Sequence, residues 1–376
     1  MTGQSSVSFT TAVIEDLSTA EGLRGEWDEL AAECDAGPFA RSTYALAWWR
    51  HLGHGHLLIV TVRLEGRLVA LAPLHERRLG PLTVARWLGH GLGTVAEVLV
   101  RPGVPGAATA LWAALDSPRR VLQLLECSSN GRGLPELSAR PGLCTTVAPS
   151  DRCPFLVLDE GARSGGTESM LAGSRHRRIR RALSIAERRL VAASLSWRVE
   201  VADDPASWAR LREPVRHVYD AAEHAHPRQH LLAGGMESFT SDFLTRAMGR
   251  REALVIVGFA GDEVVCFDIV LLSGTVWSWW VGRYHPESAV YSPGHLLLRD
   301  GLRLAGEHGV SKVDLLLGDA EYKRRWADES YETVDVLSGR RAAVAVVDGL
   351  LGLAELRRGV RRPADEAAPV TPATGA

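Results

Sequence analysis

The sequence predicts an α/β protein with mixed sheets, in which two copies of one domain are joined by a helix. Runs rich in β-branched residues alternate with amphipathic helical stretches along most of the chain, which is the pattern of an α/β fold. Two similar strand–turn–strand segments begin near residues 58 and 254, so the pattern occurs twice. An arginine-rich amphipathic stretch separates the two occurrences.

Length and composition agree with this prediction. The 376 residues correspond to two or three domains at roughly 150 residues each, and the 46% apolar and 23% charged residues are ordinary for a globular protein. No apolar run approaches about 18 residues, and the first residues lack a basic segment followed by an apolar one, so we expect a cytoplasmic protein without a membrane span. The net charge of -2 argues against a globally basic nucleic-acid-binding protein.

The first copy begins with alternating elements. Leu23, Trp27 and Leu30 share one face of a predicted helix, and Gly66 provides a tight turn between two β-rich runs. The predicted elements are a strand at 11–15, helices at 21–33 and after residue 38, strands at 56–64 and 67–74, a helix at 107–115 and a strand at 121–125.

The second copy repeats this order, with Gly261 at the hairpin turn. Its predicted elements are a strand at 196–201, helices at 206–223 and 237–248, strands at 253–259 and 263–272, and an aromatic strand at 277–284. We therefore divide the chain into an N-terminal domain at 1–165, a linker helix at 166–195, a C-terminal domain at 196–345, and a C-terminal helix with a disordered tail at 346–376.

The linker carries an apolar stripe in an arginine-rich surround. The stripe consists of Ile179, Leu183, Ala186 and Leu190, at helical spacing. The arginines from Arg175 to Arg189 form either a solvated face or a surface that contacts the phosphates of a nucleotide, a tRNA or a membrane.

A helix start in the second copy has the features of a phosphate site. Ser292 suits an N-cap, Pro293 suits the first turn, and Gly294 allows a ligand to approach the backbone. The amide groups and the positive end of the helix dipole, from Ser292 to His295, would bind a pyrophosphate. An ordinary helix cap is the alternative.

A charged segment follows the next predicted strand, at 313–317. Asp319 and Glu321 could take a proton from a nucleophile, Tyr322 could return one to a leaving thiolate, and Lys323 could balance a phosphate or an oxyanion. Lys312 and Lys323 are the only lysines in the chain, which makes a lysine here more informative than an arginine. Surface salt bridges are the alternative interpretation.

These motifs together resemble a known family. The order of S-P-G at a helix start, a strand containing Asp314, and G-D-x-E-Y-K-x-x-W from Gly318 is similar to the C-terminal domain of the CelD/BcsL-type acetyltransferases. That family belongs to the GNAT superfamily and is related to the FemAB-type aminoacyl transferases.

The resemblance implies tandem GNAT-like domains that transfer an acyl group from acetyl-CoA or another acyl-CoA to an amine of a small molecule. The pyrophosphate loop Q/R-x-x-G-x-G/A does not occur in the second copy; FemAB-type relatives also lack it and use aminoacyl-tRNA. A tRNA-dependent transferase and a non-catalytic binding module therefore stay as alternatives. We expect the acceptor pocket to be lined by residues of the aromatic strand and its neighbour, namely Trp279, Trp280, Tyr284 and Asp268.

Histidines cluster near the end of a predicted helix. His224 and His226 are two residues apart, a spacing that favours metal binding only on a strand, and Pro227 ends any helix. Five scattered cysteines without a C-x-x-C pair give no readable zinc site either, so we expect no metal. His224 or His226 is instead predicted to contact the acceptor or to act as a base.

Overall fold

The computed structural model describes residues 8–160, 171, 173 and 176–358. Its strands are β1 (Phe9–Ile14), β2 (His56–Leu64), β3 (Arg67–Leu79), β4 (Leu82–Trp87), β5 (Leu99–Val100), β6 (Arg120–Ser128), β7 (Cys144–Val157), β8 (Trp197–Ala202), β9 (Ala253–Ala260), β10 (Glu263–Ser273), β11 (Val276–Tyr284), β12 (Lys312–Asp314) and β13 (Glu329–Gly339). Its helices are α1 (Leu17–Gly22), α2 (Arg24–Glu33), α3 (Ser42–Leu52), α4 (Ala107–Ala114), α5 (Leu134–Ser138), α6 (Arg177–Ala192), α7 (Pro205–Ala225), α8 (Gly235–Gly249), α9 (Pro293–Glu307), α10 (Glu321–Trp326) and α11 (Arg341–Arg358).

Most of the predicted elements are present, but the helix predicted at 21–33 is divided at Leu23 into α1 and α2, and the strand predicted at 313–317 is shorter. The stripe of the linker helix is buried along α6, because an apolar face of this width must be covered. Gly66 has a φ of +83° at the turn between β2 and β3, a conformation that favours glycine. The predicted boundary near residue 165, Arg175 and the predicted disordered tail lie outside the described residues.

The strands form one sheet, and the first copy from one edge and the second copy from the other edge contribute their strands in nearly the same sequence of pairings. The order is β1-β2-β3-β4-β6-β13-β7-β12-β11-β10-β9-β8, and β5 pairs with β3. In each copy one pair is parallel, β4 with β6 and β11 with β12. This repetition of element order and pairing confirms the tandem duplication.

The last strand of each copy is exchanged. β13 pairs with β6 on one side and with β7 on the other, and β7 pairs with β12. Each final strand therefore adds to the other copy's sheet. The domain boundaries given above remain an interpretation of chain order, because in space β7 and β13 belong to both copies.

Helices of both copies share one hydrophobic core. α3 of the first copy packs against α8 of the second, and aromatic rings meet edge-on at this contact, with Tyr44 lying 5.2 Å from Phe243 and 5.8 Å from Phe239 between ring centroids. Separate cores lie between β2, β3 and α4 in the first copy and between β9–β11, α6 and α9 in the second.

β12 is shorter than the predicted strand at 313–317. It ends at Asp314, whose Oδ1 accepts a hydrogen bond from the backbone N–H of Leu316 at 2.8 Å. Leu316 then adopts a φ of +55°, which an extended strand cannot contain. The side chain of Asp314 thus turns the chain out of the sheet.

A truncation tests the strand exchange. We expect a chain that ends at Ala327, without β13 and α11, to lose cooperative unfolding throughout, because β6 and β7 would each lose a hydrogen-bonding partner. A chain that ends at Arg358 is the control and should unfold as the parent does. Thermal unfolding followed by circular dichroism measures both, and a native melting curve for the chain ending at Ala327 would contradict the exchange.

Candidate functional site

Two parallel strands of the second copy diverge at their carboxyl ends. β11 pairs with β12 only from Val276 to Ser278, although β11 continues to Tyr284. The register between β10 and β11 shifts between Ile269 and Val270, so that Trp280 is an extra residue on β11. The divergence opens one edge of β11, and the bulge re-aims the backbone there.

The first turn of α9 lies over this end of β11. Cys266, which pairs with Tyr284 in the sheet, donates its thiol hydrogen to the carbonyl of Pro293 at 3.7 Å. Ser292 precedes the helix in the left-handed conformation, with a φ of +49°. Gly294 is exposed, and a Cβ added to it would meet open space. The helix start therefore presents its backbone at the divergence.

The two segments predicted to form the site are in direct contact. The indole N–H of Trp326 donates to Nδ1 of His295 at 2.9 Å, and the two rings stack at 6.0 Å. Burial lowers the pKa of His295, which agrees with a neutral ring that accepts at Nδ1. The contact joins the start of α9 to the end of α10.

The charged segment divides into buried and exposed parts. Lys323 is buried, and its ammonium donates to the carbonyl of Leu317. Asp319 accepts from Arg324 at 3.1 Å through Oδ2, while its Oδ1 is buried without a hydrogen-bond partner among the described residues. Glu321 is paired with Arg325 and Tyr322 is 41% exposed.

A buried polar group that the sequence analysis did not assign lies beside the divergence. The hydroxyl of Tyr331 on β13 donates to Oδ2 of Asp314 at 2.9 Å, and the ammonium of Lys312 is 3.9 Å from the same oxygen. Burial raises the pKa of Asp314 and raises that of Cys153, nearby on β7, to about 12. The aspartate was visible as part of the motif, but its partners come from strands far away in sequence.

Asp268 is half-buried on the α9 side of the sheet. Its Oδ2 accepts the indole N–H of Trp279 at 3.1 Å. Burial raises the pKa of Asp268 to about 7. A Cβ on Gly282 would lie 2.1 Å from Oδ1 of Asp268, so a larger residue at 282 would displace this carboxyl from its present position. The hydrogen bond from Trp279 holds the carboxyl of Asp268 next to β11, the strand that diverges from β12.

The remaining predicted acceptor residues lie at different depths. Trp280 packs against residues of both copies, whereas Tyr284 is 42% exposed. His224 and His226 are exposed at the end of α7. Next to them, Glu223 is buried and accepts from Nε of Arg283 on β11 at 2.6 Å, so this ion pair ties the end of α7 to the diverging strand.

Among the described residues, no group of His, Cys, Asp and Glu side chains is arranged to hold a metal ion. Two nearby histidines have other partners, since His217 stacks on His285 at 5.7 Å and His230 lies 2.8 Å from Asp220.

In the first copy, the loop after β4 occupies the position next to β6 where β4 no longer pairs with it. β4 pairs with β6 in parallel as far as Ala85, and the loop after β4 then adds a parallel bridge between Ala96 and Cys127. The Nε of Arg86 donates to Oε1 of Gln123 at 2.7 Å. The first copy therefore uses its own chain where the second copy leaves β11 open.

Comparisons with known proteins give a family match for part of the chain. Residues 174–324, which span α6 and most of the second copy, match the family model described as Acetyltransferase (GNAT) domain. A search of curated protein sequences finds no relative with significant similarity. The more specific likeness to CelD/BcsL-type enzymes stays a prediction.

Solved structures show the same fold across most of the chain. They include FemX (TM-score 0.63, 11% identity, 88% of this chain and 96% of that one), the C-terminal domain of a protein described as a lysylphosphatidylglycerol synthetase from Agrobacterium fabrum (0.58, 12%, 88% and 96%), and a conserved protein from Bacteroides thetaiotaomicron (0.55, 8%, 87% and 99%). At these identities the likeness concerns the fold alone.

In the part of the chain that the structure describes, no helix has both the length and the apolar character needed to cross a membrane.

The buried carboxyl of Asp268 predicts a pH-dependent stability. Its folded-state pKa of about 7 exceeds the ordinary value near 4, so the native state binds more protons between these values and loses stability as the pH rises through them. Asp268→Asn keeps an acceptor for Trp279 and cannot ionise. As the pH rises from 4 to 8, the free energy of unfolding of the parent should fall relative to that of the variant by on the order of 3–4 kcal/mol. Urea unfolding at several pH values measures the difference, and parallel pH curves would contradict it.

The contact between Trp326 and His295 is tested by a pair of conservative substitutions. Trp326→Phe removes one buried indole hydrogen bond and leaves His295 without its donor, so we expect a loss of about 1–2 kcal/mol. Trp208→Phe is the matched control, because the indole nitrogen of Trp208 is buried without a partner among the described residues. Equal losses in chemical denaturation would show that the hydrogen bond contributes nothing.

Proposed function

We propose that the second copy is an N-acyltransferase that moves an acyl group, in the simplest case acetyl, from a CoA thioester to an amine of a small molecule or saccharide precursor. The observation that carries this proposal is the divergence of β11 from β12 beneath the first turn of α9. The match of residues 174–324 to the GNAT family model supports it.

The start of α9 fits the phosphates of the donor. The 15-residue helix directs its positive dipole end to its first turn. The amides of Ser292 and His295 donate to the carbonyls of Ala289 and Ser292 at 3.0 Å and Pro293 has no N–H, so Gly294 supplies the backbone amide for a phosphate. The open space beside Gly294 leaves its backbone accessible. Arg189 of α6 donates to the carbonyl of Val290 at 2.7 Å, which brings a guanidinium next to the same turn. Ser292 to His295 would hold the pyrophosphate, and the diverging strands would accept the chain that carries the thioester.

The reaction needs little covalent help from the protein. The neutral amine attacks the thioester carbon, a C–N bond forms, the C–S bond breaks, and the proton lost by the amine is matched by one gained by the leaving thiolate. A backbone N–H at the bulge of β11, near Trp280, would stabilise the oxyanion. Approximation of the two reactants supplies much of the remaining acceleration.

The proton transfers are assigned to the segment after β12. We favour Asp319 over Glu321 as the proton acceptor, because Oδ1 of Asp319 is buried without a partner among the described residues, whereas Glu321 is held by Arg325 on the surface. Tyr322 would return a proton to the thiolate. Lys323 would place a positive charge at the buried end of the segment.

The acceptor would enter from the α7 side of β11. His224 and His226 are exposed there and would contact the acceptor. Tyr284 is exposed on the α9 face at the end of β11, opposite Cys266, and would contact the acceptor from that face. Trp279 and Asp268 form one hydrogen-bonded pair beneath the strand and would shape the wall between donor and acceptor.

A tRNA-dependent transferase is the second candidate, and α6 favours it. Its arginines project from the side opposite the buried stripe, and the exposed ones are Arg177, Arg178, Arg180, Arg181, Arg188 and Arg189. A surface of this kind suits a phosphate backbone. Steep salt dependence of tRNA binding that weakens in Arg177→Ala with Arg178→Ala would favour this candidate.

The proposed function is tested by supplying acetyl-CoA and longer acyl-CoA thioesters with a panel of amines, and by following thiol release and the acylated product by mass spectrometry. Parallel reactions use aminoacyl-tRNA as the donor. Product from a CoA thioester supports the proposal, product from charged tRNA alone supports the second candidate, and no binding of either donor indicates a non-catalytic module.

Lys323→Met keeps the aliphatic packing of the lysine and removes its charge. We expect turnover to fall about a hundredfold with the melting temperature nearly unchanged, because a buried cation near the reacting groups would be lost. Lys312→Met is the control, since Lys312 lies over the Phe155 ring at 4.1 Å and has no assigned role in transfer. Full turnover by Lys323→Met would mean that the catalytic centre is elsewhere.

Gly294→Trp tests the phosphate position. The added side chain would extend into the space beside the first turn of α9, so we expect the KM for the acyl-CoA to rise at least about tenfold with a normal melting temperature. Steady-state kinetics at saturating amine measures it. An unchanged donor KM would remove α9 from the donor site.

A further inference from the structure

Trp280 lies where the register of β11 shifts, and it contacts the first copy. Its indole N–H donates to the carbonyl of Leu92 at 3.2 Å, and Leu92 belongs to the loop that follows β4. Its ring meets Phe39 at 6.0 Å and Tyr44 at 5.9 Å, both edge-on. The bulge of the second copy is therefore held by side chains and backbone of the first.

The second copy encloses the same indole from the other side. Phe243 of α8 meets Trp280 edge-on at 5.7 Å and also packs on Tyr44. Edge-to-face pairs fix the relative orientation of the rings as well as their distance. Trp280 thus has a hydrogen bond and three ring contacts that define one position.

The first-copy loop is itself held against this cluster. Gly89 has a φ of +93°, and a Cβ there would lie 2.4 Å from Cε1 of Tyr44. The hydroxyl of Thr94 donates to the carbonyl of Gly89 at 3.3 Å. The loop that carries Leu92 therefore packs against Tyr44, and the hydrogen bond between Thr94 and Gly89 restrains it.

The contacts of Trp280 lie on the part of β11 that no longer pairs with β12. β12 stops pairing with β11 at Ser278, so no strand of the described part of the chain pairs with the following residues of β11 on that side. A strand with an unpaired edge and a register shift opens locally more easily than a paired one. The contacts of Trp280 replace the missing restraint from the opposite face.

We propose that Trp280 is a positioning residue through which the first copy fixes the bulge of β11 and, with it, the backbone amide that faces the acyl carbonyl. The catalytic role of that amide rests on the proposed function; the coupling between the copies does not. Trp280 was predicted from the sequence to line the acceptor pocket, and the inference gives it a different task.

Hydrogen exchange tests the coupling without any substrate. Trp280→Phe keeps a ring in the cluster and removes the donor to Leu92, so the protected amides of 279–284 should exchange about fivefold faster. Trp112→Phe is the matched control, because Trp112 also packs in a hydrophobic core and its indole donates to the carbonyl of Gly133 at 2.7 Å in the first copy. Exchange at 279–284 that is no faster in Trp280→Phe than in Trp112→Phe would overturn the proposal.

A substitution in the first copy provides an independent test. Gly89→Ala presses on Tyr44 and should also speed exchange at 279–284, although residue 89 lies in the other copy. Gly133→Ala is the control, because Gly133 has a φ of +87° and its Cβ would lie 3.0 Å from Val98, away from Trp280. The same effect in both variants would indicate general destabilisation and overturn the coupling.

Turnover distinguishes this inference from the proposed function. In an active enzyme, Trp280→Phe should lower kcat about tenfold or more with the donor KM unchanged, because a misplaced amide affects the transition state rather than donor binding. An unchanged kcat would overturn the positioning role. If the parent chain transfers no acyl group from any donor, the proposed function fails, while the exchange measurements still decide whether the first copy holds the bulge.

Discussion

The exchange of the two final strands is the constraint on which the rest of the structure depends. β13 lies between β6 and β7, and β7 lies between β13 and β12, so each copy obtains part of its hydrogen bonding from the other. Backbone groups of a central strand need partners on both sides, and neither copy can therefore complete its sheet alone. Because the copies are fixed to one another, the first copy can contribute the loop after β4 and its aromatic side chains to a site in the second.

The two copies use the same plan for different purposes. In the second, the parallel pair β11 and β12 separates after three residue pairs, and the side chain of Asp314 turns the chain away. In the first, the loop after β4 adds a bridge from Ala96 to Cys127. An open strand edge presents unpaired backbone N–H and C=O groups, which proteins usually cover. Because the second copy keeps such an edge on β11, we assign the proposed chemistry to that copy.

The sequence predicted what depends on local pattern. The buried stripe of α6, from Ile179 to Leu190, and the turn at Gly66 follow from helical spacing and from glycine's freedom at positive φ. It also predicted that the start of α9 and the segment after β12 lie close together, and His295 contacts Trp326; that the two segments form one site stays a prediction. It did not predict the strand exchange, because a strand's pattern does not specify its partner. For the same reason Tyr331, which reaches Asp314 from β13, was missed.

Hydrogen exchange in the presence and absence of a CoA thioester tests the central claim most directly. The account predicts slower exchange in the second copy alone, at the amides of 279–284, at the first turn of α9 and at 315–318, with no change in the loop after β4. Protection confined to the first copy, or no protection at a concentration of thioester that saturates binding, would contradict it.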